Sequence, residues 1–372
     1  MAIKVLHILN SLQPSGAEVM LKISSKLWQE NGVYGHILAT DNDVGVYQKE
    51  LEKAGFIIHH IPLKPKIKYI INLVNLINKN KIDVIHIHSE GASLYSVIAS
   101  KISKRKNIIR TVHHIWPKKK LLPYIKRKVF RIITNKVFKI VSVSNSSSGR
   151  ENEKMYYNCE NLLIPNWYDE IKYQPLSFQE KNSLRRKYDI TENEIIVTSL
   201  GGNWPYKNYW MIIEALSHLP AEVNIKYFQI GPEGKGKPLQ IIANKLNVKN
   251  KICFWGIVDD VLQFLQISDY YIMPSSEEGF GNAALEAMGT GLIPILSDVK
   301  ALSDFKKYYN NEDIIWIKPN VSDIIRVFKN ICTSNRYEIY KQGRTLHCKT
   351  MRNFGVSVGA KEYINLYKSL NI

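Results

Sequence analysis

Short apolar runs alternate with longer polar segments along the first half of the chain. Runs at residues 4–9, 35–40, 56–61, 84–88, 108–112 and 140–143 are nearly continuous in their apolar character and end at turn residues. This pattern is typical of strands buried on both faces. Residues 17–31 and 67–80 instead carry apolar residues at helical spacing. Strands that alternate with helices predict a parallel, doubly wound α/β sheet.

The same alternation starts again in the second half of the chain. Strands are predicted at residues 194–200, 225–230, 251–255, 270–273, 293–296 and 314–317. The polar, charged segment 171–190 is predicted to link two Rossmann-like domains, residues 1–170 and 191–350. Residues 351–372 are predicted to contain a helix that returns to the first domain. A length of 372 residues agrees with two domains of roughly 150 residues each.

The lengths of the apolar runs and the spacing of the cysteines indicate the cellular location of the protein. No run approaches the ~20 apolar residues that cross a bilayer, and loop residues follow the N-terminal run, without a small-residue cleavage site. The four cysteines, at positions 159, 253, 332 and 348, have neither metal-ligand nor redox spacing. We therefore expect reduced thiols in a cytoplasmic protein.

A net charge of +18 predicts an anionic partner. Much of this charge lies in residues 101–139, with basic runs at 104–106, 118–120 and 126–128. Apolar residues at helical spacing lie between these cations: Leu121, Leu122, Ile125, Val129, Ile132 and Ile133. Such a segment can lie on an anionic membrane, and we expect peripheral contact at the inner face of the plasma membrane. It can also pack on the core with its basic face in solvent, and both can hold at once.

The chain after the strand predicted at 270–273 carries the most informative chemistry. It reads PSSEEGFGNAALEAMGTG over residues 274–291. Gly279 and Gly281 allow a ligand to approach the backbone, and a helix starting at Asn282 presents N–H groups that suit a phosphate. Glu278 and Glu286 would repel an anion, so we interpret them as acceptors for sugar and ribose hydroxyls.

This stretch resembles the donor-site signature of the group-one, family-four retaining glycosyltransferases. The match is the Glu-x7-Glu pair within a longer ordered pattern that ends at Pro294. The resemblance implies the GT-B fold, in which two Rossmann-like domains face each other across a cleft. It also implies transfer of a sugar from a nucleotide donor with retention of anomeric configuration.

The resemblance implies a role for each residue of the signature. Glu278 is expected to orient the transferred sugar, and Glu286 to hold the ribose. The other implied donor contacts, mostly made by backbone groups, are Phe280, Gly281, Asn282, Ala283 and Ala284.

Two segments of the first half are similar to the same family. Gly16 matches the glycine loop near the donor diphosphate, although Ser15 replaces the usual second glycine. His113 matches the histidine that reaches the transferred sugar, and His114 stands where aspartate is frequent. His86 and His88 lie on one face of a predicted strand, and we interpret them as core or near-site residues and not as metal ligands.

In the second half, Lys207 matches the lysine that neutralises the leaving diphosphate. The arginine that precedes it in the family is absent, and Gly202 or Asn203 stands in its place. The backbone of Ile257 and Val258 is expected near the nucleobase.

The sequence contains no clear metal-binding or cofactor-binding motif. The segment 41–43 has the spacing of an Asp-x-Asp metal motif, but it lies in a predicted turn away from the other candidate residues. We expect no metal and no cofactor, the UDP- or GDP-linked sugar being a substrate.

The predicted function is a metal-independent hexosyltransferase acting on a glycan or lipid-linked acceptor in cell-envelope polysaccharide synthesis, such as capsule, O-antigen or exopolysaccharide. One alternative is a nucleotide-sugar epimerase of the same fold, which would convert its substrate without an acceptor. A nucleic-acid-binding protein is another, but only the charge supports it, since no recognisable module accompanies the basic residues. We therefore expect no nucleic-acid partner.

Overall fold

A computed structural model describes residues 2–113, 121–220 and 222–370. The chain divides into two compact units. The first unit consists of Met1–Trp167 and Val356–Ile372, and the second unit is Tyr168–Gly355.

The first unit is built on a parallel sheet of seven strands. These are β1 (Ile3–Leu9), β2 (Val33–Ala39), β3 (Ile57–His60), β4 (Val84–Ile87), β5 (Ile108–Val112), β6 (Val141–Ser144) and β7 (Leu162–Leu163). Six of them confirm the predicted strands, with ends that shift by one or two residues. The seventh has only two residues, too few to produce a recognisable pattern.

Helices connect these strands and cover both faces of the sheet, which is why the strands are apolar without alternation. They are α1 (Gly16–Glu30), α2 (Gln48–Lys53), α3 (Lys66–Asn80), α4 (Ser93–Ile102), α5 (Leu121–Arg131) and α6 (Ser147–Tyr157). The strand order is β3-β2-β1-β4-β5-β6-β7. The direction of winding therefore reverses between β1 and β4, where doubly wound folds bind ligands.

The second unit repeats this architecture with six parallel strands. They are β8 (Ile195–Leu200), β9 (Ile225–Ile230), β10 (Ile252–Gly256), β11 (Tyr270–Met273), β12 (Ile293–Ser297) and β13 (Ile315–Ile317), and all six were predicted. Their order is β10-β9-β8-β11-β12-β13, so the reversal lies between β8 and β11.

The helices of the second unit pack on both faces of its sheet. They are α7 (Phe178–Arg186), α8 (Tyr209–Ser217), α9 (Pro238–Lys245), α10 (Leu262–Ile267), α11 (Asn282–Gly289), α12 (Val321–Ile331) and α13 (Arg336–Phe354).

The segment predicted as a linker, residues 171–190, forms part of the second unit. It contains α7, which begins with a capping box formed by Ser177 and Glu180. Two cations of this helix are buried: Arg185 Nη1 lies 2.9 Å and Lys181 Nζ 3.0 Å from the carboxylate of Asp269. Residues 171–190 resemble a linker because many of them are charged. The sequence does not show that two of these charges are buried, because their partner Asp269 lies more than 80 residues away.

The C-terminal segment, residues 351–372, is divided between the two units. Residues 351–354 complete α13 in the second unit, and Gly355 is extended. The last helix, α14 (Val356–Ser369), packs on the first unit, where the carbonyl of Ala360 accepts a hydrogen bond from Trp28 Nε1 at 3.1 Å. The hydroxyl of Tyr367 lies 2.7 Å from His86 Nδ1.

Helix α5 presents apolar side chains to solvent. Leu122, Ile125 and Val129, with Ile132 in the π-helical turn that follows, are 39–80% exposed. The core-facing interpretation is therefore wrong for these four residues, whereas Ile133 is partly buried. The basic run 118–120, His114 and the side chain of Leu121 lie outside the described residues.

Ion pairs fix the end of α5 to α6 and to the loop after β4. Arg131 is buried, with Nε 2.7 Å from Glu153 and Nη1 3.0 Å from Glu90. Of the helices that the structure describes, none combines the length and the apolar character needed to cross a membrane.

We expect Asp269→Asn to lower the free energy of unfolding of the second unit by about 3–5 kcal/mol, because it leaves Lys181 and Arg185 buried without a counter-charge. Urea denaturation measures the loss. Glu338→Gln, which breaks an exposed pair with Lys341, should cost less than about 1 kcal/mol. Equal effects of the two substitutions would contradict this account.

Candidate active site

Two loops lie side by side at the winding reversal of the second unit. Strands β8 and β11 are parallel neighbours, with Val197 opposite Tyr270, so the loops that follow them leave the same edge of the sheet. Lys207 ends a short 3₁₀ turn in the first loop, and Glu278 lies in the second. Lys207 Nζ is 2.6 Å from Glu278 Oε1, and their side chains are only 13% and 9% exposed. The structure therefore brings together two residues that the sequence places 71 positions apart.

Hydrogen bonds join the two loops and stabilise the second one. The hydroxyl of Ser275 donates to Glu278 Oε1 at 2.8 Å. The amide of Ser276 donates to the carbonyl of Tyr206 at 2.8 Å, and Asn208 Nδ2 donates to the carbonyl of Pro274 at 3.1 Å. None of these three contacts was predicted from the sequence. Ser275 carries a recognisable signal, since it lies just after the end of β11.

Helix α11 begins with a backbone conformation that requires glycine. Gly281 precedes the helix with φ 103°, and a Cβ there would lie 2.8 Å from the side chain of Leu302. The amide of Ala284 donates to the carbonyl of Gly281 at 2.9 Å, and the donor contact of Ala284 stays a prediction. The amide of Ala283 has no partner among the described residues, and it can bind an anion.

Phe280 cannot offer its side chain to a ligand. The ring is buried and packs against Phe305 and Phe354, with centroids 5.5 and 6.0 Å away. Only its backbone can contact a donor, as the resemblance implied. The packed ring stabilises the loop that precedes α11.

Glu286 lies on the second turn of α11, where it is partly buried. Desolvation raises the pKa of its carboxyl to about 7, although the charge of Lys172 and a hydrogen bond with Tyr173 oppose this effect. The charge of Asp169 adds to it. A carboxyl with this pKa can both donate and accept hydrogen bonds near neutral pH. Sequence reasoning missed these neighbours because they precede Glu286 by more than 110 residues.

Ile257 and Val258 follow β10, which is separated from β8 by one strand. Ile257 is exposed, and Val258 is partly buried against the apolar cluster around Phe264. Gly202 or Asn203 stands where the resemblance places an arginine, and Asn203 Nδ2 donates a hydrogen bond to the carbonyl of Glu233 at 3.5 Å. The nucleobase contact of Ile257 and Val258 stays a prediction.

In the first unit, a row of histidines connects the edge of the sheet to its core. His113 follows β5, and its Nε2 lies 2.9 Å from His88 Nδ1. His88 Nε2 lies 3.2 Å from Nδ1 of His7, which is buried in β1. Gly16 is exposed as the first residue of α1, beyond the carboxyl end of β1.

One group of histidines has the spacing of metal ligands. Among the described residues, His7, His86 and His88 bring one nitrogen each to within 4.8 Å of one another. However, both ring nitrogens of His86 already have partners at 2.7 Å, Thr111 Oγ1 and the hydroxyl of Tyr367. A metal ion would have to displace one of these bonds. The segment 41–43 is exposed after β2.

Comparison with known families is consistent with this geometry. Residues 180–342 match the family model of the glycosyl transferases group 1, and residues 14–152 match that of glycosyltransferase family 4. The chain belongs to the group-one, family-four glycosyltransferases. The two matches place Lys207, Glu278 and Glu286 in one model and His113 in the other.

Relatives with known names cover most of this glycosyltransferase. It is 26% identical to the capsular polysaccharide biosynthesis glycosyltransferase CapH of Staphylococcus aureus, over 83% of this chain and 85% of that protein. It is 25% identical to the UDP-Gal:alpha-D-GlcNAc-diphosphoundecaprenol alpha-1,3-galactosyltransferase of Escherichia coli, over 64% of each.

Solved structures identify the fold. HepE of Anabaena, in complex with UDP-glucose, superposes with a TM-score of 0.83 at 18% identity, over 99% of this chain and all of that one. At this identity the likeness shows the fold alone. This glycosyltransferase has the GT-B fold, with two Rossmann-like parallel sheets.

We expect Glu286→Gln to become more stable relative to the wild type as the pH rises from 5 to 8. The folded state holds the Glu286 proton up to about pH 7, whereas an unfolded glutamate releases it near its ordinary value of 4.5. Wild-type stability is therefore lost across this window, by on the order of 1–3 kcal/mol. Thermal melts of both proteins at each pH measure the difference.

Glu312→Gln, at an exposed position, serves as the control and should follow the wild type at every pH. A constant difference between wild type and Glu286→Gln would show that the carboxyl of Glu286 has an ordinary pKa.

Proposed function

We propose that this glycosyltransferase moves a hexose from a UDP- or GDP-linked donor to a glycan or lipid-linked acceptor during synthesis of a cell-envelope polysaccharide. The reaction retains the anomeric configuration and needs no metal ion or further cofactor. The observation that carries this proposal is the enclosed pair of Lys207 and Glu278, held on two joined loops at the winding reversal of the second unit.

The names of the relatives support this substrate class. The Staphylococcus aureus relative works in capsule biosynthesis, and the Escherichia coli relative transfers galactose to a sugar carried on diphosphoundecaprenol. The structure of HepE contains UDP-glucose. A lipid-linked acceptor and a nucleotide sugar are therefore the substrates that we propose here.

The cation of this pair can stabilise a departing diphosphate. As the bond from the sugar C1 to the diphosphate breaks, negative charge grows on the leaving oxygen, and a nearby cation stabilises that charge. Lys207 supplies the cation, and the amide of Ala283 supplies a hydrogen bond at the start of α11. Glu278 holds Lys207 in place and accepts a hydrogen bond from a sugar hydroxyl.

The proton balance completes the step. The acceptor hydroxyl forms the new bond to C1 and passes its proton to an oxygen of the departing phosphate. Glu286 binds the ribose, and His113 contacts the transferred sugar. No protein group has to form a covalent bond to the sugar.

We expect Lys207→Ala to lower kcat about 100- to 1,000-fold, or about 3–4 kcal/mol, as for the loss of an oxyanion donor. The assay follows transfer of labelled sugar from a panel of UDP- and GDP-sugars to a diphosphoundecaprenol-linked acceptor. Transfer should continue in the presence of EDTA.

Lys306→Ala, at an exposed lysine paired with Asp298, is the matched control and should keep full activity. Near-normal turnover by Lys207→Ala would contradict its role. Conversion of the donor sugar without any acceptor would replace the proposal with an epimerase.

The exposed face of α5 gives the second part of the proposal, contact with an anionic membrane. Its apolar side chains, Leu122, Ile125 and Val129, lie beside the exposed cations Lys126 and Lys128. This combination suits a helix that lies in the headgroup region. A membrane-bound acceptor would then be reached from the cytoplasmic surface.

We expect the protein to bind vesicles rich in phosphatidylglycerol, and less well as salt rises, since ions screen the cations. Lys126→Ala should weaken binding about 5-fold, corresponding to about 1 kcal/mol. Ile125→Asp should weaken it further by removing buried apolar area. Vesicle co-sedimentation measures each variant.

Ile67→Asp places the same charge at an exposed apolar residue of α3 and should not change binding. Equal losses from Ile67→Asp and Ile125→Asp would show that α5 is not the membrane contact.

A further inference from the structure

The row of three histidines in the first unit constrains where each ring carries its proton. His7, His88 and His113 are joined by two contacts between ring nitrogens, at 3.2 and 2.9 Å. A neutral imidazole has one N–H donor and one bare nitrogen acceptor. Each contact therefore needs a proton on one of its two nitrogens and a lone pair on the other. Once one ring is assigned, the other two follow.

Burial keeps the inner rings of this row neutral. Desolvation lowers the pKa of His7 to about 3, with the charge of His36 as a second cause. Desolvation also lowers the pKa of His88 well below its ordinary value, and the adjacent histidines His86, His113 and His7 add to this effect. At neutral pH, His7 and His88 are therefore both uncharged, and each has one N–H donor and one acceptor nitrogen.

The buried end of the row selects one of the two possible assignments. His7 Nε2 is buried and has no hydrogen-bond partner. A buried N–H without a partner is rarer than a buried acceptor without one. Nε2 of His7 is therefore the bare nitrogen, and its proton lies on Nδ1, which donates to His88.

The assignment then passes outward along the row. Since Nε2 of His88 accepts from His7, the proton of His88 lies on Nδ1, which donates to Nε2 of His113. Nε2 of His113 is consequently an acceptor, and its proton lies on Nδ1. His86 does not divert the row, although its ring lies 4.1 Å from that of His88, because Thr111 and Tyr367 occupy both of its nitrogens.

We propose that His7 and His88 are positioning residues that hold His113 in the Nδ1–H form, so that His113 donates a hydrogen bond to a hydroxyl of the transferred sugar. The sugar contact rests on the function proposed above, whereas the proton position does not. An isolated neutral histidine prefers the proton on Nε2, so three Nδ1–H rings in a row are the opposite of what isolated rings would show.

The experiment is nitrogen NMR of the full-length protein labelled with ¹⁵N-histidine, in which the two ring nitrogens report the proton position directly. In the wild type, we expect His7, His88 and His113 all to carry the proton on Nδ1. In His88→Leu, His113 loses its donor and should change to the Nε2–H form. An Nε2–H signal from any of the three rings in the wild type would overturn the proposal, even if His88→Leu does not fold.

A matched control uses the second histidine pair of this unit. His36 Nδ1 and His59 Nε2 lie 3.0 Å apart between β2 and β3, and His59→Leu should leave the proton position of His113 unchanged. Metal analysis gives a further test. One bound metal ion per chain, whose removal by a chelator changes the signals of His7 and His88, would replace the proton row with a metal site.

Kinetics then test the link to sugar transfer. We expect His88→Leu to lower kcat/KM about 5- to 10-fold, as for one lost hydrogen bond, and to have no further effect in a His113→Phe protein. Additive losses would show that His88 acts apart from His113. If the proton positions are as expected but neither substitution changes transfer, the row stands and the sugar contact of His113 is wrong.

Discussion

The reversal of winding in each parallel sheet is the constraint on which the rest of the structure depends. β1 lies beside β4 in the first unit, and β8 lies beside β11 in the second. Helices leave such neighbouring strands toward opposite faces of the sheet, and the crevice at this edge is where doubly wound folds bind ligands. Lys207 and Glu278 lie on the loops of the second crevice, and the histidine row ends beside the first. The position of the chemistry thus follows from topology.

Ion pairing decides which charged side chains can interact with a ligand. Arg131 and Arg185 are buried and paired with carboxylates, and Arg185 also donates to backbone carbonyls, so both hold helices in place. Lys207 is also paired, but in a loop at the sheet edge with some exposure to solvent. A diphosphate can share such a cation without exposing a buried charge. Glu286 shows the opposite effect, because desolvation raises the pKa of its carboxyl to about 7 and leaves it half protonated at neutral pH.

A row of hydrogen-bonded histidines links the core of the first unit to the edge of its sheet. The histidines lie at alternate positions on neighbouring strands, which places them on one face of the sheet, where α14 packs. Tyr363 and Tyr367 of this helix hold Thr111 and His86, and so keep that pair out of the row. The C-terminal helix therefore contributes to the environment of His113 although it lies about 250 residues further along the chain.

The sequence by itself determined the twelve longer strands, the two-sheet architecture and the residues of the donor signature. These depend on local patterns, namely continuous apolar runs and the fixed spacing of glycine and glutamate around one turn. Tertiary structure decided which charges are buried, and so made residues 171–190 part of a domain and turned the apolar residues of α5 toward solvent. It also decided the partners of Lys207 and Glu286, the bonded state of the Ala284 amide and the row of histidines. Each of these depends on distance and desolvation between residues far apart in the chain, and no local pattern encodes them.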